Sequence, residues 1–414
     1  MENFIHLHVH TQYSLLDGQA SIPKLVEKAI KDGMRGMAIT DHGNMMGVKE
    51  YFNYVNKKNK ELKEAGKEPF KPIFGCEMYV AERTLYDRNK DIDNRRYHLI
   101  VLAKNETGYH NLVKLVSKSW IDGFYSRPRT DHNELAKHHE GLIICSACIA
   151  GEVPRRILEG HIDEAEKVIE WYKSIFGDDY YLELQRHEVK DPGQRAQRDT
   201  FPLQQEANRV IIELARKHGV KVVCTNDVHF VDEENAEAHD RLICLGTGKD
   251  LDDPKRMMYT KQEWFKTQAE MNDIFADIPE ALSNTLEVLD KVETYSIDHQ
   301  PIMPNFAIPT SFATEEDYRQ RYTEEELFRE FTRDEHGNIV CSDEEGAKKI
   351  KNLGGSDKLY RLKLEADYLA HLTYIGARKL YGDPVPPEID ERLRFELHVM
   401  KTMGFPGYFL IVQD

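Results

Sequence analysis

The sequence predicts an α/β protein built on a (β/α) barrel of seven strands, and three observations carry that expectation. Short apolar runs alternate with amphipathic segments from residue 1 to about 230, as βα repeats require. Seven of those runs read as strands, at 4–9, 36–40, 72–80, 98–103, 141–146, 180–185 and 220–226. His8-Val9-His10, Asp41-His42 and Asp227-Val228-His229 place His and Asp where strands end. Strand ends of an α/β barrel converge on one rim, where such barrels keep their chemistry. Seven units fall one short of the usual eight, and an open doubly wound sheet is the alternative.

Taken in order, Phe4-Ile-His-Leu-His-Val-His10 alternates as a half-buried strand does. A helix follows with Ile22, Leu25, Val26, Ala29 and Ile30 on one face, Ser21 to cap it, Pro23 in its first turn and Gly33 to end it. Comparable helical patterns occupy 47–65, 107–121, 162–176 and 203–218. His98 opens its strand instead of closing it. An antiparallel hairpin with the strand at 72–80 would bring it back to the rim.

Beyond about 280 the character changes, which divides the chain into 1–280 and 281–414. Residues 312–358 are strongly charged and poor in aliphatics, and read as a surface insertion of solvated helices. Pro384, Pro386 and Pro387 form a stiff break before a helix carrying Leu393, Leu397 and Met400 on one face. The apolar run Gly404–Val412 stops abruptly at Gln413-Asp414, as in a truncated domain.

Composition narrows the function classes. The 414 residues are 40% hydrophobic, with no apolar run of membrane-spanning length and no signal peptide. Six scattered cysteines do not make a disulfide framework, so a reducing cytoplasm is the expected compartment. A formal net charge of −16 argues against a surface that coats nucleic acid generally, though not against a locally held one.

His8 and His10, two residues apart on a strand, point to the same side and can grip one ion together. Asp227 and His229 repeat that spacing. Asp17-Gly18 is a candidate ligand and equally a turn signal. His42 closes its strand, with Asp41 placed to orient an imidazole. Glu77 is a carboxylate inside an apolar strand and needs a cation, metal or basic side chain. Cys145 and Cys148 form a CxxC without a second one; Cys145 is expected in the core and Cys148, just past the strand, free to reach a metal. The other histidines, among them His110, His132 and His239, lie on helices or polar loops, where surface or helix-end roles are expected. These residues define a multinuclear metal hydrolase. Arg127, Arg129 and Arg186 are candidates to hold phosphate, since guanidinium clamps it in a fixed fork. His187 is either a substrate contact or a plain loop residue.

His6-Leu-His-Val-His-Thr-Gln-Tyr-Ser-Leu-Leu-Asp-Gly18, Ile39-Thr-Asp-His42, Gly75-Cys-Glu77, Tyr97-His-Leu-Ile-Val-Leu-Ala103, Trp120-Ile-Asp-Gly-Phe-Tyr125 and Thr225-Asn-Asp-Val-His-Phe230 carry a resemblance. Together they resemble the N-terminal polymerase-and-histidinol-phosphatase (PHP) domain of bacterial replicative DNA polymerase III α subunits, and Met403–Val412 resembles the start of their palm. The resemblance covers nearly the whole chain, apart from the charged stretch at 312–358. It implies a distorted seven-stranded (β/α) barrel over 1–280, then a partial α+β palm segment over 281–414.

It also implies nine metal ligands: His8, His10, Asp17, His42, Glu77, His98, Cys148, Asp227 and His229. In that pattern His8, His10, Glu77 and Asp227 hold one ion, Glu77, His98 and Cys148 a second, and Asp17, His42 and His229 a third. Two or three Zn²⁺ suit this donor set, and Mn²⁺ or Fe²⁺ are tolerated. The implied activity is a metal-dependent phosphoesterase, a 3′→5′ exonuclease with Asp227, His229 and Glu77 in catalysis. Its partners would be a DNA primer 3′ end and the other replicase subunits, with no membrane. A metal-stapled scaffold without turnover is the alternative. A free-standing small-phosphoester phosphatase is disfavoured by residues 280–414. The family's polymerising carboxylates lie beyond Asp414, so primer extension is not expected.

Overall fold

The computed structural model describes residues 2–189, 195, 199–299 and 304–414, in two compact units, Met1–Asp298 and His299–Asp414. The first unit runs α1 (Ile22–Lys31), β1 (Gly36–Ile39), α2 (Val48–Glu64), β2 (Lys71–Ala81), β3 (Arg96–Ala103), α3 (Glu106–Ile121), β4 (Arg129–Thr130) and α4 (His132–Lys137). It continues with β5 (Leu142–Cys145), α5 (Glu152–Leu158), α6 (Ile162–Phe176), β6 (Tyr180–Leu184), α7 (Phe201–His218), β7 (Lys221–Cys224), α8 (Ala236–Thr247), α9 (Gln268–Ile274) and α10 (Pro279–Lys291).

The strands lie in the order β1-β2-β3-β5-β6-β7, with short β4 beside β2. All neighbours are parallel except that β3 runs antiparallel to β2 and β5. That reversal is the hairpin His98 required. β1, β5 and β6 are buried at every residue, the mark of a sheet covered on both faces. Each aliphatic side chain so buried contributes roughly 1.5–3 kcal/mol.

The predicted first strand, 4–9, is not a regular strand: it bends at Leu7 and His8 and makes a single bridge, Val9 to Val228. It nevertheless joins the two edges of the sheet. On one side Ala38 N and Thr40 N donate to His6 O and Val9 O, each at 2.8 Å; on the other His10 N donates to Val228 O at 2.7 Å. Side chains replace its remaining ladder partners: Phe4 N, Ile5 N and Val9 N donate to Gln268, Thr285 and Thr40. With this segment, and β4 aside, the curled sheet has seven members, as the seven-strand count expects, within a mixed α/β fold.

α1 starts where expected, with Ser21 in the extended backbone of an N-cap, although its hydroxyl makes no cap bond. β4, two residues long, had no periodicity to announce it.

The second unit contains α11 (Glu315–Arg321), α12 (Glu324–Thr332), α13 (Asp343–Asn352), α14 (Ser356–Tyr381), α15 (Pro387–Thr402) and α16 (Pro406–Gln413). Among its described residues the elements are helices, and the strands of an α+β palm are not among them. The charged stretch is more than a solvated insertion. Capping boxes at Thr314/Asp317, Thr323/Glu326 and Ser342/Glu345 start its helices. Leu327, Phe331 and Ile350 from these helices share a small core with Leu359, Tyr360 and Leu362. Short amphipathic helices each donate one or two apolar residues, so the average composition hides the core.

Candidate metal centre

Local backbone geometry aims the site. Leu16, Ser126, Ala147 and Asp227 are non-glycine residues at positive φ (61°, 61°, 63° and 46°). Asp227 is a candidate ligand itself, and Leu16 and Ala147 adjoin Asp17 and Cys148. Such conformations persist only where the surroundings enforce them, and they concentrate at functional sites. Gly18, after Asp17, sits so tightly that a Cβ would lie 2.0 Å from Thr11 O, so the turn holding Asp17 admits only glycine.

The nine predicted ligand residues lie together. His8 Nε2, His10 Nε2 and Asp227 Oδ1 are 3.0–3.2 Å apart. Glu77 faces both sides: Oε1 is 2.5 Å from His98 Nδ1 and 3.7 Å from His8 Nε2. Its Oε2 touches His42 Nδ1 and is 3.5 Å from His10 Nε2. Cys148 Sγ lies 3.7 Å from His98 Nδ1. His42 Nε2 is 2.7 Å from Asp17 Oδ2, and His229 Nε2 is 3.8 Å from the same oxygen. Three groups among the described residues could each hold a metal ion: His8, His10 and Asp227; His10, His42 and His229; and Glu77, His98 and Cys148.

Hydrogen bonds on the far sides of the rings fix which nitrogens point inward. His8 Nδ1 donates to Glu183 Oε1 at 2.7 Å, and His229 Nδ1 donates to Asp227 O at 2.7 Å. Ser14 donates its hydroxyl hydrogen to Asp41, so at 3.0 Å it accepts from His10 Nδ1. Asp41 therefore orients an imidazole, but that of His10 and through Ser14. The Nε2 lone pairs of His8 and His10 are left facing each other and a carboxylate oxygen. Only a positive charge, a proton or a metal ion, satisfies that convergence.

The electrostatics agree. Burial opposes charge on His8, yet Asp227 and Glu183 hold its pKa well above the ordinary value. Burial, with His42 and His229 alongside, pushes His10 down to about 3. Burial also works against ionised Glu77, but His98 and His42 keep it well below the usual carboxylate range. Burial, with Asp227 and Glu77, pushes the Cys148 thiol up. Glu77 Oε2, Asp227 Oδ1 and His42 Nδ1 are buried in close contact with ligand groups but make no well-aligned hydrogen bond. Cations at the centre of this nitrogen, oxygen and sulfur set would satisfy all three, so the residues fit divalent metal.

The proposed phosphate contacts divide. Arg127 is exposed, with its guanidinium 6.0 Å from the Tyr79 ring, which also neighbours His98 and His42. Arg129 is a correction: it is 0% exposed and donates to the carbonyls of Gly123, Asp93, Leu85 and Asp87, stitching a loop. Arg186 is another, held by a bidentate pair with Asp277 at 2.6 and 2.9 Å. His187 is buried, donating to Asn226 O and accepting from Gln204, and has no nitrogen left for substrate.

Two residues of the centre went unseen in the sequence: Glu183, and Tyr259, whose hydroxyl lies 3.1 Å from Asp17 Oδ1 and 3.3 Å from His229 Nε2. His239, expected at the surface or a helix end, is a correction, being 1% exposed with Nε2 4.0 Å from Asp17. His239, one turn into α8 behind Asp227-Val228-His229, offered the only signal.

Residues 6–187 match the family model of the PHP domain, the class to which this curled sheet and its clustered ligands correspond. Residues 367–414 match a second model, described as the bacterial DNA polymerase III alpha NTPase domain. DNA polymerase III subunit alpha of Borreliella burgdorferi is 39% identical over 99% of this chain and 30% of its own length. The Treponema pallidum subunit is 36% identical (100% and 29%), and that of Thermus aquaticus 35% (99% and 33%). The chain belongs to the family of bacterial DNA polymerase III α subunits and spans about a third of the length of these relatives. A solved histidinol phosphate phosphatase from Lactococcus lactis, complexed with zinc, L-histidinol and phosphate, is 13% identical over 60% of this chain and 95% of its own. Its TM-score of 0.26 is too low to carry an argument. No helix among the described residues is long and apolar enough to cross a membrane.

Proposed function

We propose that the first unit is a multinuclear metal-dependent phosphoesterase, a 3′→5′ exonuclease acting on a DNA primer end. It would work within a cytoplasmic replicative polymerase, beside the other replicase subunits. One observation carries this reading: buried Glu77 turns one oxygen to His8 and His98 and the other to His10 and His42. A carboxylate shared between adjoining ligand groups is what a two-ion phosphoryl-transfer site needs. His8, His10, Glu77 and Asp227 would hold one ion, Glu77, His98 and Cys148 a second, and Asp17, His42 and His229 a third, with Zn²⁺ the best match to the donors. Bound divalent ions there supply a water of lowered pKa and offset charge developing on the phosphoryl and leaving oxygens. The chain's own part is to hold the imidazoles in one tautomer and to keep Asp227 and Glu77 ionised, each well below the usual range despite burial. Arg127, exposed beside the Tyr79 ring, would meet the substrate's phosphates.

The burial of His8, His10 and Glu77, at most 1% exposed, favours a second reading, a metal staple without turnover. Replacing Asp227 by Asn separates the two, because Asn tolerates the left-handed φ of 46° while offering a weaker ligand. With Mn²⁺ or Zn²⁺ supplied, the wild type is expected to shorten a labelled oligonucleotide with a frayed 3′ end. Asp227→Asn is expected to fold normally and leave it intact. Equal digestion by both proteins gives the staple reading the field.

A further inference from the structure

The Trp120-Ile-Asp-Gly-Phe-Tyr125 motif has no part in the ligand set, yet it lies against the centre. Trp120 and Phe124, at the end of α3 and just past it, are 45% and 46% exposed, and their rings stack at 5.5 Å with 25° between planes. A contiguous exposed apolar surface can mark a binding site, and two stacked exposed rings begin one. This one is anchored: Trp120 Nε1 donates to Gly43 O at 2.7 Å, directly after His42. Gly43 in turn packs against Pro128 and Tyr79. From Phe124 the chain turns sharply, with Ser126 at φ 61° and Tyr125 N donating to Arg127 O at 3.0 Å, which sets Arg127 beside the Tyr79 ring. Arg96 approaches the same ring, at 5.9 Å. Among the described residues neither arginine has a carboxylate partner, in a chain whose net charge is −16. Rings to stack on, next to unpaired guanidinium groups, are the two components with which proteins track single strands.

We propose that the Trp120–Phe124 shelf with Arg127 and Arg96 is a binding track for single-stranded nucleic acid leading to the metal centre. The rings take bases, and the guanidinium groups take the phosphates between them. The track rests on the reading of the centre as a phosphodiesterase. It selects strands over small phosphoesters, because a base-free phosphate has nothing to place on the shelf.

The test is equilibrium binding, by fluorescence anisotropy, of the full chain with Zn²⁺ to a labelled ten-nucleotide oligodeoxythymidylate protected by 3′ phosphorothioate linkages. Phe124→Ala is expected to weaken binding about tenfold with an unchanged salt slope, since stacking carries no charge. Arg127→Gln should also weaken binding, and should make the slope of log K against log salt shallower by about 0.7, the share of one phosphate on a single strand. Phe124→Tyr keeps the ring and is expected to bind like wild type, which separates stacking from a folding defect. No binding by wild type, unchanged binding by Phe124→Ala and Arg127→Gln, or failure of Phe124→Tyr to bind would each overturn the track. Binding without cleavage of an unprotected strand would keep the track and defeat the exonuclease reading. Cleavage with variants that bind unchanged would defeat the track alone.

Discussion

Glu183, on β6, coordinates nothing in the proposed ligand sets, yet it decides how His8 meets a metal. Its Oε1 accepts from His8 Nδ1, Gln185 Nε2 and the Thr225 hydroxyl, all buried. A carboxylate in that position orients the ring and raises its basicity. Glu183→Gln is expected to lower metal affinity by about 10–100-fold with every ligand residue still in place. Competition with a chelator of known affinity reads this directly, and wild-type affinity in the variant would remove Glu183 from the centre. The ligand side chains themselves were legible because strand spacing, strand ends and short motifs carry them. Glu183 was not, because a carboxylate at a barrel strand's end looks the same whether it meets solvent or an imidazole. Arg129 misled for a related reason. A sequence shows a guanidinium but not the four carbonyls that occupy it.

At the scale of elements, period-3.6 patterns placed α1, α2, α3, α6 and α7 within a residue or two, and left the shorter α4, α5 and α9 and the later α8 and α10 unread. They did not show that 4–9 would trade ladder bonds for side-chain partners, nor that the two residues of β4 would join the sheet. In the second unit the charged helices hid a packed interior. One carboxylate there has a pH signature. Glu330, on α12, lies 2.9 Å from Lys363 on α14 and 2.7 Å from Lys401 on α15. Burial pushes its pKa up, but Lys401 and Lys363 outweigh burial and hold it below the ordinary value. A depressed carboxylate pKa stabilises the fold above the unfolded value, about 4.3, and that contribution is lost as pH falls through the lower folded value. Glu330→Gln is therefore expected to lower the melting temperature of the second unit at pH 7 and to approach wild type near pH 3. Thermal scans of both proteins at the two pH values check it. An equal deficit at both would show that the amide costs packing and not charge.

At the scale of the molecule, the ligand residues span His8 to His229 and come from the first segment, the turn that follows it, β2 and β3, and positions just past β1, β5 and β7. Ions bound by such a set cross-link distant parts of the first unit, and their binding free energy adds to its folding free energy. A site at a thousandfold excess of ligand over Kd adds about 4 kcal/mol, which for a unit of this size moves the midpoint on the order of 10 °C. None of the proposed ligands lies in the second unit, whose stability comes from its own apolar cluster around Phe331. Calorimetry of the metal-loaded chain is therefore expected to show a transition that falls on adding EDTA and returns with Zn²⁺, and a second that does not move. Phe331→Ala identifies the second transition, because emptying that cluster costs about 3–5 kcal/mol. If chelation leaves the first transition where it was, buried imidazoles and carboxylates are satisfying one another with protons alone. The multi-ion centre, as staple and as catalyst, then fails together.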